Sequence, residues 1–194
     1  MRLVLLGPPG AGKGTQAKLL AERFGLAHLS SGDILRAERA AATELGEKAQ
    51  GYMDAGQLVP DDLIVSMMAQ HMARAERERD GYVLDGFPRT HEQARALDRQ
   101  LSEQGSRLDA VLELKVDDDV AVRRLAGRRG KESRTDDAPE VVRQRLRTYH
   151  EQTAPISAYY AEQGLLKEVD GGGEIEGIHN RLAEIGQAFV GSRG

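Results

Sequence analysis

Three groups of residues have the composition that phosphate chemistry requires. The first is Gly7-Pro8-Pro9-Gly10-Ala11-Gly12-Lys13-Gly14-Thr15. Glycines let a chain curl so that successive amide N–H groups face one anion, and a helix opening at that point adds partial positive charge. Lys13 adds a full charge aimed at a transferred phosphate. The strict phosphate-loop pattern places Ser or Thr directly after the lysine. Here Gly14 stands there, and the hydroxyl follows one place later at Thr15. An ordinary glycine turn would contain the same residue types, but a strand before and a helix after favour the phosphate reading.

The second group is Asp85-Gly86-Phe87-Pro88-Arg89-Thr90, with Gln93 beyond it. Asp85 follows an apolar run, and open α/β sheets bind their ligands at the carboxyl ends of strands. A carboxylate beside a phosphate loop suits magnesium. Thr90 and Gln93 also have the spacing of a helix capping box. The third group is the set Arg124, Arg128, Arg129, Arg134, Arg143, Arg145 and Arg147. Guanidinium groups stay charged and meet phosphate oxygens in a planar, often bidentate fashion, which suits a gap between two polyanions. Arg124 and Arg128 fall one helical turn apart on one face. A solvated helix face is the preferred reading of Arg129, Arg143 and Arg147.

The elements that must position these residues follow from apolar patterning. Leu3 to Leu6 is a short buried-strand run leading into the glycine loop and a helix over Lys13 to Phe24. Tyr82-Val83-Leu84 and Ala110 to Leu114 repeat the pattern, each followed by a helical stretch, and Leu26 to Leu29 and Leu165 to Val169 are weaker strand candidates. The alternation predicts an α/β fold with a parallel sheet of about five strands and helices on both faces. Asp61 to Arg79 carries Ile64, Met67, Met68 and Met72 at helical spacing, the methionines being core filler. The segments 30–59 and 127–137 interrupt the alternation. Pro155, between Tyr149 and Tyr160, predicts a kinked helix closing over the sheet.

Composition narrows the function classes. The 194 residues, 40% of them hydrophobic, suffice for one core. No apolar run approaches the roughly 18 residues of a membrane span, and the apolar start breaks at Gly7, so a cytoplasmic protein is expected. A net charge of -4 argues against nucleic-acid binding by global electrostatics. With no cysteine there is no disulfide or thiolate metal site, and the five histidines show no ligand spacing.

The stretch Gly-x-Pro-Gly-x-Gly-Lys-Gly-Thr-Gln, from Gly7 to Gln16, resembles the nucleoside monophosphate kinases. The second and third groups, and Ser30-Ser31-Gly32-Asp33-Ile34-Leu35-Arg36, extend the likeness over essentially the whole chain, to the adenylate kinase family in a short-lid form. The resemblance implies a P-loop three-layer fold. Its core would be residues 1–29, 60–126 and 138–194, with a nucleoside-monophosphate insert at 30–59 and a lid at 127–137. It implies reversible, magnesium-dependent transfer from ATP to AMP, giving ADP, in line and without a covalent intermediate.

Site roles carried over by that resemblance are these. Gly10, Ala11, Gly12, Lys13, Gly14, Thr15, Arg128 and Gly173 would bind ATP. Ser31, Arg36, Gln57, Leu58, Val59, Gly86, Phe87, Pro88, Arg89, Gln93, Arg134 and Arg145 would bind AMP, Gln93 at the adenine edge. Lys13, Asp85, Arg89, Arg124, Arg128, Arg134 and Arg145 would carry catalysis, Asp85 through the water shell of magnesium brought by the nucleotide. Family members usually have lysine at Gln57, a difference of little consequence if that contact is main-chain. Asp136, in Arg134-Thr135-Asp136-Asp137, would hold a neighbouring arginine. Read without the family, Ser30 with Asp33 fits a helix cap and Asp170-Gly171-Gly172-Gly173 a plain glycine turn. Only Gly130 to Ser133 separates Arg129 from Arg134, where long-lid bacterial members often hold zinc with cysteines. No structural zinc and a monomer are expected. The rivals are a UMP/CMP kinase of the same fold, whose relatives generally carry asparagines in and after the Asp85 segment, and a GTP-gated switch. The chain has no Asn-Lys-x-Asp guanine-reading segment.

Overall fold

The computed structural model describes residues 1–129 and 138–190, with residues 128 and 129 described by helical backbone alone. Nine helices and five strands are found among the described residues. The strands β1 (Arg2–Leu6), β2 (Ala27–Ser30), β3 (Tyr82–Asp85), β4 (Ala110–Lys115) and β5 (Leu166–Asp170) form one sheet in the order β2-β3-β1-β4-β5. Every pairing is parallel. The fold is therefore the α/β one expected, and β2 and β5 form within a residue or so of the runs read from the sequence.

Parallel strands buried on both faces should be apolar throughout, with alternate residues on opposite sides. β1 obeys this. Leu3 and Leu5 pack with Leu20 of α1 (Lys13–Phe24) and Leu182 of α9 (Ile175–Val190). Val4 and Leu6 turn to the other face. There they join Met68 of α4 (Asp61–Glu78), Leu97 of α5 (His91–Glu103) and Tyr160 of α8 (Ile156–Glu162). Each fully buried leucine here contributes about 1.5–3 kcal/mol. The methionines of α4 sit in this core as filler, as their spacing indicates.

Two helices, α2 (Ser31–Ala40) and α3 (Glu44–Asp54), occupy the excursion after β2. Gly46 lies so close to the main chain of Glu38 that any Cβ there would collide with it, so α2 and α3 pack backbone to backbone. The last third holds α6 (Asp118–Arg129) and α7 (Pro139–Thr148). The expected kink takes the form of a π-helical turn at Tyr149–Thr153, with Pro155 at the start of α8, where its missing N–H is harmless.

Candidate active site

The site lies at the carboxyl ends of β1, β2 and β3, whose register sets Leu5 and Ser30 on either side of Asp85. The chain leaving β1 curls through the glycine loop and enters α1 from Gly12, a left-handed residue at φ 92°. No side chain caps that helix and no acid occupies its first turn. Its N-terminus therefore keeps the partial positive charge that an anion would meet. Gly10, at φ 87°, is pressed against the Ala121 carbonyl of α6, and only a residue without a Cβ fits. Lys13 Nζ donates to the carbonyls of Gly7 at 2.7 Å and Pro8 at 3.0 Å, folding the ammonium over the loop.

Asp85 ends β3. The Cβ of any residue replacing Gly14 would lie 3.4 Å from its Oδ2, so the position where the strict pattern puts a hydroxyl stands against this carboxylate. Burial pushes the Asp85 pKa up, but His28, Lys13 and Arg89 together outweigh burial and hold it below the usual carboxylate range. His28 Nε2 stands 3.7 Å from Asp85 Oδ2, longer than a hydrogen bond. No spacing in the sequence marks His28 as a chemical residue. Its signal lay in the strand register: His28 pairs with Val83, which puts it diagonally across from Asp85 on the same face.

The loop after β3 gathers donors around one carbonyl. Gly86, at φ 75°, accepts from Ser31 Oγ at 2.7 Å and from Arg89 Nε at 2.8 Å. Thr90 caps α5 through the Gln93 N–H at 3.1 Å, so the capping spacing is used. The Gln93 side chain accepts from the Arg89 N–H rather than from the cap residue. The cap reading of Ser30 is realised too, since its Oγ accepts from Asp33 N–H at 3.3 Å, leaving Ser31 to face the loop.

One cavity is lined by Ser31, Arg36, Gln57, Leu58, Val59, Gly86, Arg89, Gln93 and Arg145, among others. A second cavity reaches from Lys13 and Pro9 to the π-helical turn and shares Gly56, Leu58, Gly86, Arg89 and Arg145 with the first. Arg89 and Arg145 thus stand where the two meet. Phe87 and Pro88 differ from the rest of the expected acceptor set. Phe87 is 1% exposed in the core, where it anchors the loop, and Pro88 lines the second cavity. Thr148, Tyr149 and Thr153 line that cavity as well, and nothing in their spacing distinguished them from a kinked helix.

Arg124 bridges two loops. Its guanidinium donates to Gly171 O at 2.9 Å and, at 3.4 Å, to Ala11 O and Gly173 O. The backbone of Arg128 follows one turn later on α6. Arg134, Asp136 and all of the expected lid beyond Arg129 lie outside the described residues. No cluster of three or more acidic or histidine ligands that could cage a metal occurs among the described residues.

The family model described as Adenylate kinase matches residues 5–165. The chain belongs to the adenylate kinase family. A relative named Adenylate kinase from Stenotrophomonas maltophilia (strain R551-3) is 51% identical over 182 residues, covering 94% of this chain and 97% of its own. The Adenylate kinase of Rhizobium meliloti (strain 1021) is 52% identical, covering 95% and 97%. That of Thermobifida fusca (strain YX) is 49% identical, covering 93% and 95%. Membership makes the chain a nucleotide-binding phosphotransferase, and the UMP/CMP-kinase alternative is not favoured. No described helix is long and apolar enough to cross a membrane.

Proposed function

We propose that this adenylate kinase moves the terminal phosphoryl group of ATP onto AMP, reversibly and in line, giving two ADP. The observation that carries the reading is the meeting of the two cavities at Arg89 and Arg145, with Lys13 on one side and the Ser31–Arg36 helix start on the other. An in-line transfer needs donor and acceptor phosphates held end to end in a cationic, water-poor gap.

In this reading the amides of Gly10 to Thr15 cradle the donor phosphates, and Lys13 swings from the Gly7 and Pro8 carbonyls onto them. Arg89 and Arg145, with Arg36 at the acceptor end, hold the AMP phosphate, and Gln57, Leu58 and Val59 wall the nucleoside. Gln93 and Ser31 meet the acceptor end of the pocket. Arg124 fixes the Gly171–Gly173 loop, beside which the donor base lies against Gly173. Arg128 and Arg134 complete the charge from α6 and the lid. The attacking oxygen belongs to AMP itself, so no side chain becomes phosphorylated.

Magnesium arriving with ATP would neutralise charge between the phosphates. Asp85 suits its water shell, because it is buried yet ionised at the head of the phosphate loop. Residues 30–59 and 127–137 are proposed to close as the acceptor insert and lid, excluding water that would compete for the phosphoryl group. A cytoplasmic monomer is part of the same proposal. A coupled assay of ADP formation with AMP, UMP, CMP and GMP as acceptors tests the proposal. Fastest turnover with AMP is expected, and faster turnover with UMP or CMP would contradict it.

A further inference from the structure

Gln93 lines the acceptor cavity, is only 1% exposed, and has both ends of its amide engaged. Its Oε1 accepts from the Arg89 main-chain N–H at 2.7 Å, and its Nε2 donates to Asp61 Oδ1 at 2.7 Å. A peptide N–H can only donate and a carboxylate can only accept, so one of the two amide orientations satisfies both and the other satisfies neither. Turned over, the amide would set N–H against N–H at Arg89 and oxygen against oxygen at Asp61. Asp61 is itself held, since its Oδ2 accepts from Thr90 Oγ1 at 2.9 Å and Thr90 in turn caps the Gln93 N–H. The first turns of α4 and α5 thus converge on one carboxamide.

We propose that Asp61 determines base specificity by fixing the order of donor and acceptor that Gln93 shows to the acceptor base, so that a 6-aminopurine is taken and a 6-oxopurine refused. The proposal rests on the reading of Gln93 as the residue that meets the AMP base. An amide oxygen has two lone pairs and its nitrogen two protons, so one of each is left after Arg89 and Asp61 are served. Adenine offers an acceptor at N1 beside a donor at its amino group, which complement the remaining N–H and oxygen. Hypoxanthine and guanine offer a donor at N1 beside an acceptor at O6. They need the reversed amide, which Asp61 and the Arg89 N–H both oppose. A site that leaves buried polar groups mispaired rejects the wrong substrate by large factors.

An acid in the first turn of α4 also stabilises the helix, a role that the exposed Asp62 shares. That role cannot distinguish one acceptor base from another. The test is the ratio of kcat/KM for AMP to kcat/KM for IMP, at fixed ATP, in the intact protein and in Asp61→Asn, Asp61→Ser and Gln93→Ala. Asparagine is nearly isosteric but can donate as well as accept, so a reversed Gln93 loses only its Arg89 bond. The ratio should fall about tenfold in Asp61→Asn, chiefly through KM, because a hydrogen bond to a charged partner is lost as a discriminator. Asp61→Ser, too short to hold the amide, should fall similarly.

If Gln93→Ala lowers the ratio while both Asp61 variants keep it, the proposal is wrong and Asp61 is structural. If Gln93→Ala also keeps it, the base reading by Gln93 fails, and the Asp61 proposal falls with it. A readout on the unaltered protein avoids dependence on variant folding. Adding AMP should shift the Gln93 side-chain amide resonances and slow their exchange with solvent, and IMP should do neither. Equal effects with both nucleotides would overturn it.

Discussion

Thr153 Oγ1 donates to the main-chain carbonyl of Arg89 at 2.9 Å, tying the π-helical turn to the loop whose arginine stands between the two cavities. Immediately before this turn, at the end of α7, Thr148 Oγ1 donates to the Gly56 carbonyl at 3.3 Å, a longer bond of the same kind. The turn and the residue before it therefore touch both the segment 30–59 and the loop that carries Arg89. Thr153→Val should keep the packing and lose the bond, lowering kcat/KM for AMP by about fivefold to tenfold, as expected for one net hydrogen bond. Thr153→Ser should restore it, and steady-state kinetics with each variant checks both.

Lys13→Ala removes the charge that would meet the transferred phosphate. Its folded-state bonds to Gly7 and Pro8 carbonyls are modest, so thermal unfolding should move little. The rate should drop by about a hundredfold to a thousandfold, the scale of losing one preorganised charge contact in a transition state. Single-turnover ADP formation beside a melting curve separates the two effects.

Gly86→Ala should injure the acceptor side selectively. Its Cβ would fall 2.8 Å from both Ser31 Oγ and Arg89 Nη2, at φ 75°, where an L side chain is strained by about 1–2 kcal/mol. Ser31 and Arg89 must then leave the carbonyl that holds them. The KM for AMP should rise about tenfold or more while that for ATP changes little, and initial-rate measurements against each substrate decide it.

Asp85 gives a signed pH dependence. Its folded pKa lies below the ordinary carboxylate value, held down against burial by His28, Lys13 and Arg89. The stabilisation it contributes is therefore present above the unfolded value of about 3.9 and is lost as pH falls through the lower folded one. Denaturant unfolding followed from pH 6 downward should show stability falling below about pH 4. In Asp85→Asn that acid limb should be shallower.

Much of this arrangement was legible in the residues because local chemistry and tertiary placement agree. Leu3 to Leu6 can be little other than a strand buried on both faces, and Gly10 and Gly12 sit where the loop needs φ above zero. The caps at Ser30 and Thr90 formed as their spacing suggested, and each sits beside a residue facing the pocket. His28, Asp61 and Thr153 were not legible. Each acts across a distance in the chain that no periodicity records: His28 through strand register, Asp61 through the convergence of two helices, Thr153 through a π turn. Phe87 shows the converse, a motif residue whose ring is buried in the core beneath the loop that carries it.

The central claim is that donor and acceptor sites are continuous, with Arg89 and Arg145 at their junction. Calorimetric titration with a dinucleotide of two adenosines joined by a polyphosphate tests it most directly. One molecule should bind per chain, far more tightly than ATP or AMP alone, and either nucleotide should weaken its binding competitively, the two together most. Binding no tighter than that of ATP, or displacement by ATP alone with AMP without effect, would contradict it.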